Sequence, residues 1–272
     1  MWLSFAFAGP FRQVSAGSAA FLLGAALAAS AAPAPSGTPV LVELFTSEGC
    51  SSCPPADRLL ARLAADQPVP GALIVPLALH VDYWNHLGWK DPFSSARFTE
   101  RQNAYAARFG NPGRVYTPQM VVNGRSEFVG SDESAARRAI EAEAHEPKAF
   151  VRVVPGAARA VRVSVAGSPA GAEVSLVVIE DGLTSDVTRG ENAGRRLAHA
   201  AVARDLVSAG AVDSAGRFDS TVPVAPRSGK LRVFAFVQER GTGHVLGVSA
   251  PVALPGPLTE SRSSSTGRAS SD

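Results

Sequence analysis

The chain has 272 residues, 46% of them hydrophobic and 18% charged, enough to bury a sizeable core and to divide into two ordinary domains. A formal net charge of +2 provides no strong field, so composition points to neither a nucleic acid nor an anionic membrane as partner. The 20 prolines and 25 glycines predict many turns and some unstructured ends.

Arg12 is the only charged residue before Glu43, and it precedes the apolar run Ala19–Ala29 and the small-residue stretch "SAAPAPSG". A basic flank, a short apolar segment and an A-x-A-like end read as a secretory signal peptide over residues 1–32, with 33–37 as a linker. The apolar run is short for a membrane span, which needs about 20 residues. An uncleaved tether is the alternative, and only then is a membrane expected as partner. Both readings place the rest of the chain in an exported, disulfide-permissive compartment, periplasmic or secreted.

Residues 38–147 alternate strand and helix signals. "PVLVELFT" (39–46) is a short apolar strand. "PPADRLLARLAA" (54–65) has apolar residues at helical spacing and prolines suited to a first turn. A second buried strand is expected over about 73–81, with Pro76 marking a bulge or an edge. "SSARFTERQNAYAARFG" (94–110) opens on serine caps and ends on glycine, a helix signature. "PQMVVNGRSEFVG" (118–130) predicts a hairpin around Asn123-Gly124, and "SDESAARRAIEAEAHE" (131–146) a capped helix. The order β-α-β-α-β-β-α implies a mixed sheet flanked by helices. From 148 to 254, alternating runs broken by Gly and Pro predict an all-β, sandwich-like domain. "NAGRRLAHAAVARDLVSAG" interrupts them as a long connection or a short helix, and 255–272 reads as a polar, disordered tail.

The only cysteines, Cys50 and Cys53, lie between the first strand and the first helix. As a staple the pair is poor, because a loop this small removes little entropy from the unfolded chain. A dithiol is the better reading. The positive end of the following helix stabilises a thiolate, so Cys50, at the exposed end of C-x-x-C, is expected to attack and Cys53 to resolve the mixed disulfide. Glu48, two residues before Cys50, disfavours that thiolate if it lies close.

A β-strand, C-x-x-C at a helix start, Thr117-Pro118 before a hairpin and then a last helix resemble the thioredoxin fold. The resemblance implies a cis-proline at Pro118 beside the dithiol, with Thr117 preceding it, shaping a site for an extended substrate. "VELFTSEGCSSCPPAD" (42–57), "HVDYWNHLGWKDPFSSARFTERQ" (80–102) and "GRVYTPQMVVNG" (113–124) together look like the DUF1223 family, an exported, thioredoxin-like group of unknown function. The resemblance spans roughly 38–253 and supplies no substrate. Ser51-Ser52 between the cysteines and Pro54-Pro55 after them depart from thioredoxin itself.

The expected fold is therefore an α/β thioredoxin-like domain followed by an all-β sandwich-like domain. The expected activity is thiol–disulfide exchange on a protein or small-molecule thiol or disulfide, with no cofactor beyond the redox pair and no metal. Trp84 and Trp89, in the aromatic block 80–93, either shape a substrate groove or pack the loop. His80, Asp82 and His86 read as hydrogen-bonded strand-end residues or, with the cysteines, as a metal cluster lacking a tight four-ligand spacing. Asp57 is either a proton acceptor for the resolving thiol or a helix-start charge. Arg114 and Arg125 are surface residues or a local source of positive potential. Asn192, Arg195 and His199 form a docking loop near the dithiol or merely satisfy their own backbone. A binding module with a permanently oxidised bridge, and a metal-delivery protein, are the competing functions.

Overall fold

The computed structural model describes residues 37–255. The expected signal peptide, the linker up to residue 36 and the tail beyond residue 255 lie outside the described residues.

The first half follows the local signals closely. β1 (Thr38–Thr46) leads into α1 (Pro54–Asp66), β2 (Ala72–His80), α2 (Ala96–Arg108), β3 (Gln119–Val122), β4 (Ser126–Val129) and α3 (Glu133–Ala144). α1 carries Pro at its first two positions, and Ser95 and Asp132 cap α2 and α3 by accepting from Arg97 N and Ala135 N. The β3–β4 turn uses Asn123 and Gly124 at φ 46° and 65°, the left-handed geometry that a two-residue hairpin demands. The second half is nearly all strand: β5 (Phe150–Pro155), β6 (Ala160–Ala166), β7 (Glu173–Glu180), β8 (Leu183–Asp186), β9 (Arg196–His199), β10 (Val202–Ala211), β11 (Arg217–Pro223), β12 (Leu231–Gln238), β13 (Val245–Val248) and β14 (Val252–Ala253).

The arrangement of these strands corrects the expected fold class. There is no thioredoxin-like α/β domain followed by a separate sandwich. The protein is mostly β, and strands of both halves share one nine-stranded mixed sheet in the order β13-β12-β7-β10-β2-β1-β3-β4, with β14 also on β12. The junction is β10, in the segment read as a connection or short helix. β10 runs antiparallel along β7 and touches β2 in parallel at Val202↔Ala78, where Ala78 N donates to Ala201 O. The physical reason lies in β2. All nine of its residues are buried, and so apolar a strand left as an open edge would be an aggregation template. Pro76 fits because donors two residues apart point the same way. Its missing N–H would face the β10 side, at a level where β10 has not yet begun.

Side-chain alternation divides the core accordingly. On one face of the sheet, Leu41, Phe45, Leu77 and Leu79 of the first half pack with Val177, Ile179, Phe234 and Phe236 of the second, under α2. On the other face, α1 and α3 cover Val40, Val42, Leu44 and Ile74, while the separate sheet β11-β6-β5 covers Val174, Leu176, Val233 and Ala235. A polar cluster lies within the shared face. Glu43 of β1 is fully buried and accepts hydrogen bonds from Arg101 Nε (2.6 Å) and Nη2 (3.0 Å) and from the Tyr105 hydroxyl (2.6 Å). Arg101 Nη1 also donates to Gln238 of β12 at 3.1 Å.

Candidate functional site

Cys50 and Cys53 form a disulfide with Cα atoms 5.5 Å apart. Cys53 is the N-cap of α1, and its carbonyl accepts from Ala56 N and Asp57 N. Pro54 and Pro55 occupy the first two helical positions, so the two backbone donors that would most readily face a thiolate there are missing. The helix dipole remains.

Cys50 is not exposed, as its position in the motif suggests. Both cysteines are 0% exposed, although Ser51 and Ser52 between them face solvent. A strap from the second half explains this. Glu191 Oε2 accepts from Ser51 N at 2.9 Å. Asn192, fully buried, donates to Glu48 O (2.8 Å) and Cys50 O (2.9 Å), and its Oδ1 accepts from Arg195 Nη1 at 3.0 Å. Gly190 sits against Trp89 and the Leu87 carbonyl, where a Cβ would be crowded at 3.3 and 3.4 Å. Of Asn192, Arg195 and His199, the first and last bond the cysteine loop, at Glu48 and Cys50, while Arg195 bonds Asn192 within its own segment. Glu191 carried no sequence signal; only contacts across 140 residues reveal it.

Beneath the strap lies a buried acid–imidazole cluster. Glu48 does not stand free beside Cys50: Oε1 bonds His199 Nε2 at 2.9 Å and Oε2 accepts from Trp89 Nε1 at 2.8 Å. His80 Nδ1 bonds Asp91 Oδ2 at 2.7 Å, and the same oxygen accepts from Glu48 N at 2.9 Å. The two imidazoles meet edge-on with centroids 4.8 Å apart, and Phe93 packs on both. His80 Nε2 and His199 Nδ1 are buried without a partner among the described residues. Asp57 sits one helical turn after Cys53, which puts both side chains on one face of α1, and it accepts from Thr46 Oγ1 at 2.8 Å. Burial holds the Asp57 carboxyl above the usual carboxylate range, despite the opposing influence of His199, His80 and Thr46. For His80, burial works downward, but the charge and hydrogen bond of Asp91 outweigh it and leave the imidazole above its ordinary value. For Asp91, burial works upward, and the charge and hydrogen bond of His80, with bonds from Glu48 N and Phe93 N, carry it below.

The remaining expected residues divide. Trp84 Nε1 donates to Thr117 Oγ1 at 2.9 Å, and Trp84 also lies against Gly49, so it links the Cys50 loop to the Thr117–Pro118 peptide, which is cis. Pro118 is buried, and with Ala56 and Leu44 it borders Gly130, where a Cβ would collide with Leu44 Cδ1 and crowd the other two. His80, Asp82 and His86 are not brought together: Asp82 accepts from Thr99 Oγ1 of α2 at 2.6 Å, and His86 is exposed. Among the described residues, no group of three or more His, Cys, Asp or Glu side chains converges as a metal site. Arg125 pairs with Glu143 of α3 at 3.5 Å, and Arg114 is exposed.

If Asn192 is the bolt of the strap, Asn192→Ala strips the buried Glu48 carbonyl of its partner and leaves the Cys50 carbonyl only the bond from Cys53 N, at about 1–3 kcal/mol. The expected result is reduction of the disulfide by dithiothreitol at least about tenfold faster, read by thiol labelling. An unchanged rate would show that something else shields the sulfurs.

No curated protein matches this chain. The crystal structure of an Agrobacterium tumefaciens protein is similar with a TM-score of 0.65 and 27% identity, covering 84% of this chain and 98% of that one. A crystal structure of an LPMO from Kitasatospora papulosa aligns with a TM-score of only 0.27 and 14% identity, covering 46% of this chain and 61% of that one. Residues 41–238, from within β1 to the end of β12, match the family described as protein of unknown function (DUF1223), and the chain belongs to that family.

Proposed function

We propose that this chain is an exported, periplasmic or secreted, thiol–disulfide exchange protein acting on a dithiol or disulfide of a protein or small molecule. The observation that carries the reading is a disulfide at the start of α1 with a buried carboxyl, Asp57, one turn away, whose hold on a proton burial strengthens. A substrate thiolate attacks Cys50 Sγ, the S–S bond breaks, and its electron pair leaves on Cys53 Sγ. The dipole of α1 stabilises that thiolate, and Asp57 in its acid form donates the proton that a buried sulfur needs. A second substrate thiolate then displaces Cys50 from the mixed disulfide, and Cys50 takes up the second proton. The substrate pair is oxidised and Cys50–Cys53 reduced; the reverse sequence oxidises the protein and reduces the substrate. Trp84 borders the loop on which the substrate would lie and ties it to Thr117, next to Pro118.

A second reading has one specific observation in its favour. Complete burial of both sulfurs suits a permanent bridge in a binding module. Pro54 and Pro55 also favour the disulfide, since a thiolate there lacks two donors.

The midpoint potential against glutathione or dithiothreitol decides between them. Exchange requires a value above about −300 mV, and the missing donors place it well below that of strong oxidants near −120 mV. A value below about −300 mV marks a structural bridge and sinks the exchange reading. Reduction kinetics across pH then test Asp57. Its acid form is available only below its raised folded value, so cleavage in the wild type should show a loss as pH rises through that value, against the usual gain from ionisation of the attacking thiol. Asp57→Asn removes that break. The same shift carries a stability signature: the native carboxyl keeps a proton that the unfolded chain releases near pH 4, so wild-type stability falls over that window and the variant's does not.

A further inference from the structure

Away from the cysteines, a cavity of about 340 Å³ opens between the first turn of α2 and the start of β10. Its charged lining is unbalanced. Arg97 from α2, Arg204 from β10 and Arg227 from the β11–β12 connection face it, against the single carboxylate of Asp205. The ion pairs available to these arginines are long. Arg204 Nε lies 3.4 Å from Glu180 Oε2, and Arg97 Nη1 lies 3.4 Å from Asp205 Oδ1, whereas a charge-assisted hydrogen bond spans about 2.7–2.9 Å.

Arg204 is the key residue. Its side chain is only 17% exposed, and its guanidinium rests 5.4 Å over the ring of Phe93, which also walls the cavity. Burial and then the neighbouring charge of Arg227 push it below the usual arginine range, the mark of a cation held beside another cation without full compensation. α2 adds to the same field. Ser95, its N-cap, lines the cavity, so the positive end of a 13-residue helix points to this region. Like charges gathered around a concave space and left under-paired lower their energy by binding the opposite charge.

We propose that this cavity binds a small oxyanion, with Arg204 and Arg227 as its principal ligands and Arg97 at the rim. Phosphate, sulfate and carboxylate share the chemistry that planar guanidiniums recognise in two-pronged fashion. The site stands independently of the exchange reading, and neither cysteine takes part in it.

The test is calorimetric titration of the whole protein with sodium phosphate, sodium sulfate and sodium succinate at constant ionic strength. Saturable binding with a Kd near or below about 1 mM is expected for at least one of them. Arg204→Gln and Arg227→Gln should each weaken it about tenfold or more, whereas Arg62→Gln, in the exposed Arg62–Glu133 pair, should bind as wild type. Tighter binding of phosphate or sulfate assigns the site to an inorganic or phosphoryl oxyanion; tighter binding of succinate assigns it to a carboxylate. Should Arg204→Gln fail to fold, the exposed Arg227 and Arg97 variants decide the matter. No saturation by any of the three at about 10 mM, or binding indifferent to the arginine substitutions, overturns the proposal.

Discussion

Cys53→Ser is expected to abolish turnover and to capture exchange partners as stable mixed disulfides through Cys50, while Cys50→Ser abolishes turnover without capturing them. The asymmetry follows from where the two sulfurs sit. Cys53 is the N-cap of α1, at the positive helix end and one turn from Asp57, so it is the better leaving group. Cys50 is as buried as Cys53 but belongs to the loop beside the exposed Ser51 and Ser52, so on the proposed reading it is the sulfur that an incoming thiolate reaches once the strap opens. With Ser at position 53, the Cys50 thiolate can still attack a substrate disulfide, but the protein has no second thiol to resolve the adduct. Asn192 holds the Cys50 carbonyl under the strap, so capture should rise further in the double variant Cys53→Ser, Asn192→Ala. Loss of fold is not a competing explanation: a bridge across so small a loop contributes about 2 kcal/mol at most on the chain-entropy account. Non-reducing mass spectrometry of adducts formed with a peptide that carries a disulfide reads the result: the free protein thiolate attacks one peptide sulfur and the other leaves as a thiol. Adducts on Cys53 in the Cys50→Ser protein, and none in the other, would reverse the assignment of roles.

What the sequence reveals here, and what it hides, follows from the range of the interactions. Prolines at the start of α1, Ser95 before α2, and Asn123-Gly124 between β3 and β4 act within a few residues, and the corresponding elements can be read directly. β10 cannot. Two register shifts against β7 interrupt its alternation, and "AHAAVARDLV" carries alanines and charges that suit a helix equally well. Its neighbour β2 lies more than a hundred residues earlier, and no local pattern says which strand will close an apolar edge. That one placement turns an expected pair of folds into a single shared sheet. The candidate site divides in the same way. Cys50, Cys53, Asp57 and Pro118 stand in motifs of short range. The pairing of Glu48 with His199, and the strap through Glu191 and Asn192, join residues 140 to 151 positions apart.

A strongly destabilising change is expected at the junction of the two halves rather than at the cysteines. Arg101→Met removes the cation that holds Glu43, a fully buried carboxylate on β1. Arg101 makes a two-pronged contact to Glu43, donates to the Tyr105 hydroxyl at 2.9 Å and to Gln238 Oε1 at 3.1 Å, and lies about equally over the rings of Tyr105 and Phe236. Burial alone would push its guanidinium down, but the Glu43 charge and hydrogen bonds outweigh this and hold it above the usual arginine range. Methionine restores much of the volume and none of the charge, so Glu43 is left buried and uncompensated, at about 3–5 kcal/mol. Against a total stability of about 5–15 kcal/mol, that approaches global unfolding. The double variant Glu43→Gln, Arg101→Met should recover most of the loss, because a neutral amide can still accept from Tyr105 without stranding a charge. Urea denaturation followed by fluorescence and by circular dichroism measures both. Since the cluster joins β1 and α2 to β12, the two probes should fall together in one transition. A loss below about 1 kcal/mol, or two separate transitions, would mean that Glu43 finds water on its own and that the halves do not depend on each other at this point.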